Sequence, residues 1–223
     1  MHIVAVQVGR PARHPVPGHE GGEQEFFRSA IAKQAVAGPV RLTTLGLAGD
    51  EVEDTRVHGG PDQAVLAYAS AHYPRWRAEW GREDVGHGGF GENLTVEGAD
   101  EATVCLGDRW SIGGALLEVT KPRSPCNRLA WYQRRDDLIR RVRETGRSGW
   151  YLRVLAEGRV EAGASIELVE RRCPEMTVRR AGLAMMRRSS ERAQALALLG
   201  CAALAADWRL RLVREGFGQP ARE

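Results

Sequence analysis

Four cysteines stand at positions 105, 126, 173 and 201, none paired as CxxC and none at a zinc-type spacing. That excludes a disulfide scaffold and a structural zinc site, and it leads us to expect reduced thiols in a cytoplasmic protein. Charge of one sign is equally scarce. Thirty-two basic residues face 29 acidic ones for a formal net charge of +3, so the global field that would gather duplex DNA is missing. No nucleic-acid partner is expected, and any anion site must come from local clustering. The longest apolar run, Ala193 to Trp208, is interrupted by Gln194, Gly200 and Asp207 and is too short for a bilayer span, so no membrane partner is expected either. Met1 to Gly9 has neither the basic lead nor the small-residue cleavage site of a secretory leader and reads as a first strand. Repeats, low-complexity tracts and flavin or iron–sulfur binding motifs are also missing.

What is present is a succession of short β-type runs followed by a helical tail. A hydrophobic fraction of 43% over 223 residues can supply a core for one good-sized domain and an appendage. His2 to Val8 reads as a strand, followed by a Pro/His/Gly-rich loop from Arg10 to Gly22, a second strand from Phe26 to Lys33, and a third from Val40 to Leu45 closed by Gly46. His72, Tyr73, Trp76 and Trp80 recur at helical spacing between Ala69 and Trp80, and such an aromatic stripe belongs in a core. Further strands are predicted from Leu94, over Ala102 to Leu106, Arg109 to Ile112 and Ala115 to Thr120, then over Trp150 to Leu155, through Val160, and over Ser165 to Val169. Beyond Arg171 no strand signal remains, and two or three short helices are expected. The chain therefore divides into residues 1–170 and a helical extension, 171–223.

The stretch with most chemistry is Lys121-Pro122-Arg123-Ser124-Pro125-Cys126-Asn127-Arg128. Ser124 reads as an N-cap and Pro125 as the first residue of a helix running to about Thr145, which puts Cys126 in its first turn. A helix N-terminus and the cations Lys121, Arg123 and Arg128 would favour a thiolate, which attacks electrophiles and binds metals. The plainer alternative is a small buried hydrophobe beside a helix cap. A second candidate is His58-Gly59-Gly60-Pro61-Asp62-Gln63, where two glycines let main-chain N–H groups approach a ligand while His58, Asp62 and Gln63 assist; it can equally be an ordinary glycine turn. Gly86 to Asn93 is another glycine-rich loop, suited to a hinge, a lid or a phosphate cradle.

Taken in order, Gly49-Asp50, His58 to Val65, His72-Tyr73, Phe90 to Leu94, Gly107-Asp108, Pro122 to Cys126 and Gly146 to Tyr151 resemble the MOSC domain, named for the C-terminal domain of molybdenum-cofactor sulfurases. The resemblance is strongest to its stand-alone bacterial YiiM-type branch, whose MOSC domain is followed by a three-helix extension. It implies a mainly β fold, a closed β-barrel with peripheral helices, and molybdenum cofactor (molybdopterin) rather than pyridoxal phosphate. It also implies reduction of N-hydroxylated compounds such as 6-hydroxylaminopurine, with electrons from a separate flavin or iron–sulfur donor. Carried over, Cys126 becomes the thiolate ligand to molybdenum and His58 its proton-supplying neighbour. An early-strand arginine belongs in the same pocket, with Arg28 the candidate; on the chemistry of the residues themselves, Lys33, Gly59, Gly60, Asn93, Arg123 and Arg147 complete the cofactor-binding set, with the Gly88-Gly89 amides in support. Two other readings share these residues: a sulfur carrier holding a persulfide on Cys126, and a β-barrel module that grips an anion without chemistry. The helical tail could pack on its own barrel or form a homodimer.

Overall fold

The computed structural model describes residues 1–18, 25–55 and 58–218. Part of the expected Pro/Gly-rich loop, the two residues before His58 and the last five of the tail lie outside the described residues. The strands in chain order are β1 (His2–Val8), β2 (Ala12–Pro15), β3 (Phe26–Ser29), β4 (Gln34–Ala35), β5 (Val40–Thr43), β6 (Gly46–Leu47), β7 (Val65–Ala69) and β8 (Leu94–Glu97). They continue as β9 (Asp108–Ile112), β10 (Ala115–Pro122), β11 (Trp150–Ala156), β12 (Gly158–Val160) and β13 (Glu167–Arg171). Six helices accompany them among the described residues: α1 (His72–Trp80), α2 (Asn127–Gln133), α3 (Leu138–Thr145), α4 (Val178–Met186), α5 (Arg192–Gly200) and α6 (Ala206–Arg214).

Eight strands form one sheet in the order β13-β9-β10-β11-β7-β8-β1-β4. All its neighbours are antiparallel except β7 and β8, which are joined through α1 and the Gly86 loop. The expectation of a closed barrel is corrected here, because β13 and β4 are edges with no ladder between them and the sheet curls into a half-barrel. The reason lies in β1. On the side away from β8, its last residues pair with two-residue β4, while its first residues meet only a turn: Ile3 N–H donates to Ala164 O (2.9 Å) and Ile166 N–H to Met1 O (2.9 Å). A turn cannot propagate a ladder, and β13 beyond it is exposed throughout, with Glu167, Glu170 and Arg171 guarding the edge.

Two cores follow. The larger fills the hollow of the sheet around Trp110 and Trp150, whose rings meet edge to face at 5.9 Å. Met176, Val178, Ala181, Leu198 and Leu212 of the tail belong to this same core, so the three helices close over the sheet. Trp208 and Leu212 point inward, whereas Leu210 and Val213 remain exposed. The smaller core holds the aromatic stripe of α1, with Tyr73, Trp76 and Trp80 against Tyr68 and Phe90 and against Leu129 and Leu138. Glu92 is fully buried among them, accepting from the Tyr73 hydroxyl, Gly88 N–H (2.7 Å) and Thr95 Oγ1 (2.9 Å). Such a carboxylate is tolerable only because its lone pairs are filled.

Three local expectations change. The loop from Arg10 contains β2, which pairs with β3. Ala102 to Leu106 is a turn, because the Asp100 carboxylate takes the N–H groups of Ala102 (2.9 Å) and Thr103 (3.2 Å). The single helix from Pro125 to Thr145 is two: Arg134 adopts φ 53°, and the polar run Gln133 to Asp137 offers no apolar face to hold a turn on the core.

Candidate active site

β10 ends at Pro122, and the next residue is fastened to the start of β11 by a bond from Arg123 N–H to Gly149 O (3.0 Å). The chain then runs extended through Ser124 and Pro125. Cys126, not Ser124, is the N-cap of α2, with φ −127° and ψ 165°. Its carbonyl receives Leu129 N–H (3.1 Å) and Ala130 N–H (3.3 Å), and its half-buried thiol faces a cleft. α2 has only seven residues, and Arg123 and Arg128 line the cleft beside the thiol.

The opposite wall is the His58 loop. Gly59 and Gly60 have φ 75° and 79°, a backbone that only glycine enters freely, and a Cβ on Gly60 would meet nothing within 4 Å. Gly60 therefore presents bare backbone to the cleft, whereas a Cβ on Gly59 would stand 3.2 Å from Val52 Cγ2. Asp62 is used otherwise: its carboxylate pairs with Arg153 (3.0 Å) and accepts Ala206 N–H (2.7 Å), and its carbonyl accepts the Thr120 hydroxyl (2.7 Å). It anchors the loop to β10, β11 and the start of α6. His58 N–H returns to Asp54 O (3.0 Å), and His58 lines the cleft together with Cys126.

The cleft encloses about 440 Å3. It brings together Cys126, His58, Gly59, Gly60, Lys33, Asn93 and Arg123 of the expected set. Arg123 is buried to 8% exposure, and among the described residues no carboxylate or carbonyl bonds its guanidinium. Burial first, then the charges of Arg123 and Arg128, hold the His58 imidazole below its ordinary value, with Asp54 pulling the other way. The ring is therefore neutral at pH 7 rather than a ready proton donor. Lys33 and Asn93 are both tied to one carboxylate: the Lys33 ammonium pairs with Asp50, and Asn93 Nδ2 donates to it at 2.8 Å. Burial draws the Lys33 ammonium down, and the Asp50 charge opposes that pull.

Two expected residues lie apart from the cleft. Arg28 sits on β3 in an adjoining hollow that also touches His58 and Cys126, and it is ion-paired to Glu53 at 2.9 Å. Arg147 is buried elsewhere, paired with Glu79 and stacked on Trp76 at 4.0 Å, where it braces α1. The Gly88-Gly89 amides are spent inside the fold, on Glu92 and on Gly86 O. Asp50 and Tyr151 have roles that sequence reasoning did not assign. Asp50 orients Lys33 and Asn93 and also receives Gly9 N–H (2.7 Å). The Tyr151 ring lines the cleft, and burial raises its phenol so that it stays a donor. Its signal was alternation along β11: inward Trp150 places Tyr151 on the other face.

The MOSC domain profile matches residues 54–167, which contain both walls of this cleft. Protein YiiM of Escherichia coli K12 is 38% identical over 201 residues, covering 88% of this chain and 89% of its own. A protein named "Reductase" from Gibberella moniliformis is 39% identical over 181 residues, 79% of this chain but 30% of its own length. The crystal structure of YiiM from Geobacillus stearothermophilus superposes with a TM-score of 0.78 at 33% identity, covering 96% of this chain and 97% of that one. With the cleft motifs, the profile and full-length relatives in agreement, this chain belongs to the MOSC domain family.

Proposed function

We propose that this protein is a molybdenum-cofactor-dependent reductase of N-hydroxylated compounds, with Cys126 as its thiolate ligand to the metal. The observation that carries this reading is Cys126 opening into a cleft whose buried Arg123 has no counter-charge among the described residues. Unpaired buried guanidinium is costly, and an anionic ligand relieves the cost. The donor set also fits. Among the described residues no three His, Cys, Asp or Glu side chains converge as a metal site, so a metal held here must bring most of its own ligands. A pterin dithiolene does so, and a protein thiolate completes a soft sulfur set. The bare backbone of Gly60 and the charges of Arg123 and Arg128 suit its phosphate.

When bound, the cofactor supplies two-electron oxygen-atom chemistry at a metal. The remainder falls to this chain. Overall, R–NHOH with two electrons and two protons gives R–NH2 and water, the electrons coming from a separate flavin or iron–sulfur donor. Neutral His58 offers a ring N–H to the hydroxyl oxygen, and an anionic ligand that offsets Arg123 restores the basicity the ring needs to relay a proton. Tyr151 offers its phenolic O–H from the facing wall, and Lys33, fixed by Asp50, sets the far end of the cleft. The test is conversion of 6-hydroxylaminopurine to adenine by cofactor-loaded protein with reduced viologen as donor. Wild-type turnover and a loss of at least 100-fold in Cys126→Ser are expected, about 3 kcal/mol in the activation barrier. Full turnover in Cys126→Ser would refute the ligand assignment, and cyanide-labile sulfur on Cys126 without molybdenum would favour the sulfur-carrier reading.

A further inference from the structure

On the other side of the Pro122 to Pro125 segment lies a second cavity, of about 420 Å3, between that segment, α3 and the helical extension. Its size is in the range of small-molecule sites, roughly 300–1,000 Å3. Five arginines line it: Arg123, Arg143, Arg179, Arg188 and Arg211. Arg188 and Arg211 are spent on Glu215, at 2.9 and 3.1 Å. The other three have no ion pair among the described residues. The one acid on the wall, Glu144, is already held by Arg140 (2.8 Å) and Arg141 (3.2 Å).

The opposite wall is apolar, formed by Met185, Met186 and Trp208 with Pro122 at the floor. Gly182 on α4 keeps the space open, since a Cβ there would come no nearer than 3.8 Å to Pro122 and nothing larger fills the gap. Arg179 lies over Gly146, its Cγ 3.4 Å and its Nε 3.6 Å from where a Cβ would stand.

We propose that this cavity binds an organic phosphate with an aromatic body, an anion of the nucleotide class. Guanidinium forks of Arg143 and Arg179 match phosphate oxygens bidentately, with buried Arg123 beneath. Methionine and tryptophan offer the polarizable surface that a planar ring packs on. Because Arg123 also lines the Cys126 cleft, an anion here and a ligand there share one cation. The inference does not rest on the metal reading, since none of its residues is asked to ligate.

The test is isothermal titration calorimetry of the full chain with three probes: adenosine 5′-monophosphate, inorganic phosphate and adenosine. The nucleotide should bind, with phosphate and adenosine each at least tenfold weaker. Gly182→Leu, which fills the cavity without altering charge, and Arg143→Glu/Arg179→Glu, both at exposed positions, should each weaken nucleotide binding at least tenfold, while Cys126→Ser leaves it unchanged. Circular dichroism would verify that Gly182→Leu folds, and the arginine pair stands independently of it. No binding at millimolar nucleotide, phosphate binding as tight as the nucleotide, or loss in Cys126→Ser with retention in both cavity variants would overturn the proposal.

Discussion

Cys126 differs from the other cysteines in what surrounds it. Burial and the neighbouring Cys173 thiol push Cys201 up to about 12, and burial also raises Cys105, so both remain protonated at neutral pH. They serve as packing. Cys126 shares its cleft with two guanidiniums and an imidazole, and burial together with those guanidinium charges depresses the imidazole. A histidine-detected NMR titration should place His58 below the ordinary value of about 6.5, and Arg128→Gln should move it upward. Titration at or above that value, or no response to Arg128→Gln, would contradict the electrostatic account. The sign for stability follows: with its folded value depressed, the stability that neutral His58 carries is present above the ordinary imidazole value and is lost as pH falls through the folded one. The reactive cysteine and the glycine pair were legible in sequence because their punctuation is local. Arg147 was misplaced because a cation near a motif carries no sign of which way it points, and only the tertiary position of Glu79 decides it.

Among the elements, the start of β11 matters most to the site. Gly149 takes φ 71°, its carbonyl holds Arg123, and its N–H donates to Glu101 Oε1 at 2.6 Å. A Cβ there would stand 2.6 Å from Ala67 O. Gly149→Ala should therefore cost at least ~3 kcal/mol, combining positive-φ strain with a backbone clash, whereas Gly60→Ala, with φ 79° and ψ 172° in a region almost exclusive to glycine, should cost about 2 kcal/mol from strain alone. Chemical denaturation of the two variants measures the difference; equal costs would contradict this packing. Strands β1, β8, β9, β10 and β11 and the three tail helices were readable because each carries a run of several apolar residues, but central β7 was missed, since Val65 to Ala69 is buried on both faces and shows no alternation. Two-residue β4 and β6 were not, since no period exists at that length. The split between α2 and α3 turns on the αL geometry of one arginine, which composition does not reveal.

For the whole molecule, the tail is an integral part of the core and its helices also bear on the cleft. Asp62 joins the His58 loop to Arg153 and to the first turn of α6, so one carboxylate couples extension and site. Asp62→Ala should lower stability by about 1–2 kcal/mol, the cost of a lost cap and a half-buried pair. It should also speed hydrogen exchange in both α6 and residues 58–63; an effect confined to one of them would refute the coupling. The closed barrel was expected from family likeness, and the half-barrel follows from a register detail, with the side of β1 away from β8 divided between β4 and a turn.

The central claim is that Cys126 completes a molybdenum site. It is tested most directly by metal analysis with pterin fluorescence on protein produced in a host that makes molybdenum cofactor, wild type beside Cys126→Ser. Near-stoichiometric molybdenum in the wild type and its loss from the variant is the predicted result. No molybdenum in either protein, with cofactor supply verified, would contradict the account.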